Sequence, residues 1–430
     1  MRLGRLALAI SLIVPTGCGF RSAPRDPLDA VADDYVRLVL AAGRHDANYV
    51  DAYYGPADWR SQAERGEPKP LPELLSEAGA LLARARTAPP SDRREFLLKQ
   101  LTAVEAFLRI RGGERLALDE EARLLYDIDV PRADPEEIAA ARRALETLLP
   151  GDGPLNPRID AFRRRFEIPA DRLEAVVSAC LEESRRRTLL LCELPAGEAF
   201  RVSFVKDKPW GAYNWYRGGL ESLIEVNTDL PMQLGQVFAT IAHEGYPGRH
   251  TLNALIEDRL VRGRGWREFT VYPLYSPASV VAEGTGDLGA EILLTDAERL
   301  ALLRDRLAPL AGLLGLDFAS YEKVAEASRV LGKARAEATR MLLAEGRGDE
   351  EVVTFLVESA LMTEARARKA IEFMKTYRAY EFTYLVGEDL VRAYVGAGPD
   401  RAARYFDLLS RPVTPSSLRA SIELRKRDAS

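Results

Sequence analysis

Hydrophobic positions along most of the chain recur at the three- and four-residue spacing of amphipathic helices. From about residue 27 to residue 191 this pattern is almost continuous. One helix is predicted to begin at Ser91 as its N-cap and to end at Gly112-Gly113. Its apolar face is formed by Leu97, Leu98, Leu101, Val104 and Leu108. A second helix is predicted over residues 171–192.

Two segments near the middle of the chain alternate between apolar and polar residues, which is typical of strands. They are residues 199–205 and 220–227, and the aromatic, glycine-rich segment 210–219 between them suits a strand end or a turn. Helical spacing returns at 232–244 and continues to the C-terminus. The predicted fold is therefore mainly α with a small β-sheet. At 430 residues we expect two lobes, a helical region over 27–192 and a second region over 193–430.

The N-terminus has the layout of a secretory signal peptide over residues 1–18, with basic residues before a short apolar stretch. That stretch is too short to span a bilayer. Thr16-Gly17-Cys18 resembles a bacterial lipoprotein processing site, although Pro15 stands where an aliphatic residue is usual. Ordinary cleavage and a short uncleaved anchor are the alternatives. We expect an exported protein of the periplasm or cell envelope, linked to the membrane only by a lipid at Cys18, with residues 19–26 as a tether.

The charge of the chain bears on its partners, and its cysteines bear on whether it forms a disulfide. Lys and Arg number 60 and Asp and Glu 65, a net charge of −5, which argues against nucleic acid as a partner. Beyond Cys18, only Cys180 and Cys192 remain. On one straight helix they would lie about 18 Å apart, so both are predicted to be buried free thiols.

The chain has three histidines, and two of them, His243 and His250, fall within eight residues as HEGYPGRH. Two imidazoles can hold zinc, and Glu244 can act as general base on the metal-bound water. The usual H-E-x-x-H spacing is four, whereas a spacing of seven separates the rings by about 10.5 Å along a straight helix. Pro247 breaks a helix, so a bulge over residues 246–248 would restore the spacing. The alternative is two ordinary histidines beside a kink.

A third zinc ligand is predicted in the segment that follows. Glu283, Asp287 and Glu291 are spaced by four and would share one helix face. Burying carboxylates on a face of small apolar residues is costly without a compensating cation. We assign Glu283 as the ligand and Asp287 as the residue that orients a ligand imidazole. The glycines of 284–289 match a dinucleotide fingerprint, but their helical flanks favour close helix packing instead.

These residues resemble a bacterial family known as domain of unknown function 885, whose members are often exported lipoproteins and are regarded as zincin-like metallopeptidases. The resemblance rests on the motif at 243–250, the acidic run at 283–291, the segment 213–231 and an early segment at 51–60. It implies a zincin-like helical fold, a zinc-dependent peptidase activity and a peptide substrate. It also suggests that Asn227 lines the cleft, where a peptide can pair with an edge strand.

One departure from the family pattern concerns Arg249, because the family shows two adjacent histidines where this chain has Arg249-His250. Arginine stays protonated and cannot bind zinc. If the second position is the ligand, His250 preserves the site and Arg249 can bind a substrate carboxylate. If the first is the ligand, the protein is a non-catalytic member. Tyr384 resembles a Tyr-x-x-Gly feature of the family and can stabilise an oxyanion, or it packs in an aromatic helix face.

The sequence thus predicts hydrolysis of peptide bonds with zinc held by His243, His250 and Glu283, and with Glu244 as the base. Two alternatives stay open. One is a non-catalytic envelope lipoprotein that retains the fold. The other is a zinc amidohydrolase that acts on a non-peptide amide. The sequence does not separate exopeptidase from endopeptidase.

Overall fold

The computed structural model describes residues 26–130, 132–208 and 210–429 of the chain. The predicted signal peptide, Cys18 and almost all of the predicted tether lie outside the described residues. Within the described residues, no helix is long and apolar enough to cross a membrane. The expected lipid anchor at Cys18 stays a prediction.

Helices form most of the described chain, as predicted. The helices of the N-terminal part are α1 (Leu28–Ala42), α2 (Ala57–Ala63), α3 (Leu71–Thr87), α4 (Asp92–Arg111), α5 (Leu118–Tyr126), α6 (Pro135–Leu148), α7 (Leu155–Arg164) and α8 (Leu173–Leu191). The predicted N-cap of α4 is confirmed, because Ser91 Oγ accepts a hydrogen bond of 3.1 Å from the amide of Arg94.

The C-terminal part contains twelve further helices in the part of the chain that the structure describes. They are α9 (Leu234–Glu244), α10 (Arg249–Ile256), α11 (Pro277–Leu293), α12 (Asp296–Ala301), α13 (Ala308–Ala311), α14 (Phe318–Leu331), α15 (Lys333–Leu343), α16 (Asp349–Ser359), α17 (Glu364–Tyr377), α18 (Phe382–Val395), α19 (Arg401–Leu408) and α20 (Pro415–Ala429). A π-helical turn over Glu257–Arg262 extends α10.

The strands are β1 (Val50–Tyr53), β2 (Ala199–Val205), β3 (Ala212–Gly218), β4 (Glu221–Asn227) and β5 (Val271–Pro273). β2 and β4 confirm the two predicted strands, and the segment between them forms β3 rather than a turn. These three build a sheet in the order β2-β4-β3, in which β2 is parallel and β3 antiparallel to β4. The antiparallel pair β1–β5 was not predicted, because its strands are too short to show alternation.

Apolar side chains pack into several clusters that join distant parts of the chain. One contains residues of α1, α3, α4 and α5 together with Phe382 and Val280 from the C-terminal part. A second joins α8 to α9. Cys180 is buried and Cys192 is half-buried, and both are free thiols. The division into two lobes at residues 192–193, where α8 has just ended, stays a prediction.

Glycines let α11 lie unusually close to its neighbours. A Cβ on Gly284 would stand 2.1 Å from the carbonyl oxygen of Gly387 on α18. A Cβ on Gly286 would stand 2.6 Å from the ring of His243 on α9. Real Cβ atoms do not approach other atoms so closely, so only glycine fits at these two positions. The glycine run at 284–289 therefore serves close helix packing, as the sequence predicted.

Candidate functional site

A cleft of about 880 Å³ opens between β3 and the helices α9, α11, α17 and α18. Its walls include seven of the eight residues singled out from the sequence, namely Asn227, His243, Glu244, Arg249, Glu283, Asp287 and Tyr384. The eighth, His250, does not line the cleft. The cleft therefore brings together seven of these eight residues and leaves out one proposed metal ligand.

His243 lies on the last turn of α9 and contacts two carboxylates of α11. Its Nε2 is 3.4 Å from Glu283 Oε2, and its Nδ1 is 3.0 Å from Asp287 Oδ1. Burial alone would lower the pKa of this imidazole, but the hydrogen bonds to Asp287 and Glu283 raise the pKa well above its ordinary value. The imidazole of His243 thus lies between two carboxylates that favour its charged form.

Arg249 is the first residue of α10 and reaches the same carboxylate. Its guanidinium forms a hydrogen-bonded ion pair with Glu283 Oε1, and the phenol of Tyr272 lies 3.5 Å from its other terminal nitrogen. Glu283 is 2% exposed. Burial would raise the pKa of Glu283, but Arg249 and His243 outweigh that effect and lower the pKa to about 2. A permanent cation thus faces the carboxylate that was predicted to bind zinc.

His250, the next residue, points away from the cleft and is fully buried. Its Nε2 is 3.0 Å from Glu198 Oε2, and its Nδ1 is 2.8 Å from Ser222 Oγ. Glu198 also accepts hydrogen bonds from Tyr246 and Arg185. Both ring nitrogens are therefore already bonded on the side of α10 that faces the sheet.

The helix break predicted at Pro247 is present, because α9 ends at Glu244 and α10 begins at Arg249. The Tyr246–Pro247 peptide bond is cis. What differs from the prediction is which residue faces the cleft after the break. Successive residues of an α-helix are rotated by about 100°, so the helix that aims Arg249 at Glu283 aims His250 toward the sheet. The assignment of His250 as a ligand is not supported by this geometry.

These residues do not fit the zinc site that the sequence predicted. In the part of the chain that the structure describes, no group of three or more His, Cys, Asp and Glu side chains is arranged to hold a metal ion. A catalytic zinc usually has three protein ligands. Here His250 is sequestered and Arg249, which cannot donate a lone pair to a metal, contacts Glu283.

Glu244 is half-buried in the cleft wall, beside His243. Among the described residues, no hydrogen bond to its carboxylate is found, and burial raises its pKa. Its backbone carbonyl accepts a hydrogen bond of 2.6 Å from Asn214 Nδ2 on β3. This contact ties the end of α9 to the strand that forms the opposite wall. The side chain itself lines the cleft, where the positive charges of His243 and Arg249 act against the effect of burial on its pKa.

Two tyrosines of the C-terminal part lie against the carboxylate of Glu283. Tyr380 donates a hydrogen bond of 2.6 Å to Glu283 Oε1. Tyr384, which was predicted to reach the site, packs edge-on against Tyr380 with ring centroids 5.8 Å apart. Burial raises the pKa of both phenols well above the ordinary value, so both stay protonated.

Asn227 lines the cleft, but its side chain is fully used in shaping the loop before β3. Its amide nitrogen donates to the carbonyls of Lys208 and Trp210, and its oxygen accepts from the amide of Asp229. Sequence reasoning missed Asp51, which lines the same wall and accepts a hydrogen bond from Tyr213. Asp51 lies in an early segment that carried the family resemblance, which was its only signal.

Comparisons with known proteins give a likeness of fold. No family model matches the chain, and no curated protein matches it. The solved structure of a candidate lipoprotein from Colwellia psychrerythraea is similar, with a TM-score of 0.51 and 13% identity, over 83% of this chain and 67% of that one. The resemblance to domain of unknown function 885 therefore stays an interpretation of the sequence.

Two further solved structures are more distantly similar. A candidate lipoprotein of unknown function from Shewanella oneidensis has a TM-score of 0.49 and 11% identity, over 91% of this chain and 82% of that one. An M32 carboxypeptidase from Deinococcus radiodurans R1 has a TM-score of 0.34 and 13% identity, over 91% of this chain and 93% of that one.

Proposed function

We propose that this chain is an exported protein that binds peptides in a metallopeptidase-like cleft without hydrolysing them. The observation that carries the proposal is the ion pair between Arg249 and Glu283. In this pair the guanidinium supplies the positive charge that a metal would otherwise supply to the buried carboxylate. It supplies no Lewis acid and no bound water, so the step that activates a nucleophile in a zinc peptidase is missing.

The cleft nevertheless retains the means to hold an extended peptide. β3 is hydrogen-bonded to β4 on one side, and its residues 212–215 line the cleft. An extended peptide can add to such an edge by backbone hydrogen bonds. The aromatic side chains of Tyr213 and Trp215 offer apolar contacts for alternate side chains of that peptide. Binding of this kind needs no metal.

A second candidate function is the zinc peptidase that the sequence predicted. It is favoured by Glu244, whose carboxylate lines the cleft and accepts no hydrogen bond from the described residues, so it is free to act as a general base. It requires that Arg249 leave Glu283 and that another ligand replace His250. The ion pair must then be broken in a buried site, which typically costs about 3–5 kcal/mol. We therefore rank this function below non-hydrolytic binding.

The two candidates are separated by measuring binding and cleavage in one experiment. The full chain is mixed with a labelled peptide library in excess zinc; anisotropy reports binding and mass spectrometry reports cleavage. We expect saturable binding with all peptides intact. Zinc-stimulated cleavage that disappears in Glu244→Gln would establish the peptidase instead. Glu77→Gln on α3, where Glu77 is half-buried and pairs with Lys69, is a control that removes the same charge outside the cleft.

We also propose that the protein resides in the cell envelope with a lipid on Cys18. The layout of residues 1–18 supports this location, and the structurally similar protein from Colwellia psychrerythraea is itself described as a candidate lipoprotein. Incorporation of labelled palmitate into the wild-type chain, and its loss in Cys18→Ser, is the expected result. A wild-type chain that is exported but takes up no label would contradict the anchor.

A further inference from the structure

An open groove on another face of the molecule is lined mainly by arginines. It has a volume of about 770 Å³, and its walls contain Arg259, Arg262, Arg264 and Arg411 against two aspartates, Asp258 and Asp407. The chain as a whole carries a net charge of −5. A locally positive surface on an acidic protein attracts an anionic partner electrostatically.

Two of these arginines contact a hydroxyl or an aromatic ring and form no ion pair with the described residues. Arg259 donates to the hydroxyl of Ser410 at 2.6 Å, and Arg264 lies over the ring of Trp266 at 4.7 Å. Among the ion pairs of the described residues, neither side chain takes part. Arg262 and Arg411 are instead paired, with Glu257 and Asp407 respectively. Arg259 and Arg264 are therefore available to an external anion.

The groove lies beside the point at which the described chain begins. Asp26 is bound to Arg93 at 2.9 Å, and the guanidinium of Arg93 lies 4.9 Å from the ring of Trp266. The guanidinium of Arg264 also lies over that ring, 4.7 Å from its centroid. Cys18 precedes Asp26 by eight residues, which span at most roughly 26–29 Å even when fully extended. A lipid on Cys18 would therefore hold this face, rather than a remote one, near the bilayer.

We propose that this arginine groove docks on the anionic phospholipid headgroups of the membrane that carries the anchor. Each basic side chain near an anionic leaflet contributes about 1 kcal/mol of attraction, which falls off within a Debye length. Trp266 is half-exposed and contacts the guanidinium groups of Arg93 and Arg264, and tryptophan is favoured at membrane–water interfaces. None of the groove residues lines the peptide cleft, so docking fixes the orientation of the anchored protein without occupying its cleft.

The tryptophan itself provides the test. The full chain is reconstituted into vesicles whose anionic phospholipid carries a nitroxide on its headgroup, and tryptophan fluorescence is compared between wild type and Trp266→Phe. We expect a quenched component in the wild type that is absent from Trp266→Phe. Circular dichroism checks that Trp266→Phe is folded. Equal quenching in both proteins would overturn the proposal.

Charge variants give a second, independent readout in the same vesicles. The double variant Arg259→Gln/Arg264→Gln is expected to lose most of the quenching, because two arginines correspond to roughly tenfold or more in headgroup affinity. The control Arg142→Gln/Arg164→Gln makes the same charge change on α6 and α7 and should leave the tryptophan quenching unchanged. Quenching that survives in the groove variant, or that is equal with a neutral nitroxide lipid, would show that the groove does not dock on anionic lipid.

Discussion

The guanidinium of Arg249 and the carboxylate of Glu283 form a buried ion pair at the centre of the cleft. Glu283 is also bound by Tyr380 and lies 3.4 Å from His243. The pair accounts for how a buried carboxylate is stabilised without a metal. Beside the pair, the imidazole of His243 also contacts Asp287, with its Nδ1 3.0 Å from Asp287 Oδ1.

The effects of substituting Arg249 and Glu283 on the free energy of unfolding are expected to be strongly coupled. Removing one member of a buried pair typically costs about 3–5 kcal/mol, so Arg249→Gln and Glu283→Gln should each lower the free energy of unfolding substantially. The double variant should lose much less than the sum, because neither partner is left unpaired. Urea unfolding of the three variants measures this. Additive losses would show that the two side chains act independently.

Because α11 packs closely on α9, a single added methyl group between them should destabilise the fold. Gly286→Ala places a Cβ 2.6 Å from the ring of His243, so the ring or the helix must shift. We expect a loss of about 1–3 kcal/mol, typical of overpacking. The control is Gly79→Ala on α3, where a Cβ meets nothing within 4 Å and helix propensity predicts a gain of up to about 1 kcal/mol. Thermal unfolding compares the two, and equal shifts would contradict the packing argument.

His250 is expected to support the fold rather than the cleft. His250→Ala removes buried hydrogen bonds to Glu198 and Ser222 and leaves a cavity, so the free energy of unfolding should fall by about 2–4 kcal/mol. At a temperature where the variant stays folded, its affinity for cleft-binding peptides should match that of the wild type. A folded His250→Ala protein that has lost peptide binding would return His250 to the functional site.

A cluster on α8 predicts a pH dependence of stability. Hydrogen bonds from Arg186 outweigh the effect of burial and, with those from Arg187, lower the pKa of Glu183 to about 2. A carboxylate whose pKa falls on folding stabilises the fold above its unfolded pKa of about 4.3. Glu183→Gln should therefore be less stable than wild type at pH 7, and the difference should disappear as pH falls from about 4.3 to 2. A difference that does not change over this range would contradict the assignment.

Much of the architecture could be predicted because it follows from residue patterns within short segments of the chain. The strands β2 and β4, the N-cap of α4 and the break at Pro247 all follow from spacing or from the chemistry of single residues. The face of α10 could not be predicted in the same way. Whether Arg249 or His250 points into the cleft depends on the path of residues 245–248, and an error of one residue rotates the helix face by about 100°.

Several contacts within the site could not be predicted because the residues that form them come from distant parts of the chain. Asp51 and Tyr213 are bonded although 162 residues separate them, and Tyr380 reaches Glu283 across 97 residues. No periodicity within one segment connects such pairs. One feature of the sequence did warn against the predicted zinc site. Arg249 stands where the family has a histidine, and it is at this position that the structure differs from the prediction.

The metal content of the wild-type chain and of Arg249→His tests the central claim most directly. After incubation with excess zinc and removal of free metal, we expect no bound zinc in the wild type and about one zinc per chain in Arg249→His, where a third ligand joins His243 and Glu283. Arg249→Gln, which removes the charge but adds no ligand, should stay free of zinc. One tightly bound zinc per chain in the wild type would contradict the account, because the ion pair of Arg249 and Glu283 would then not stand in place of a metal.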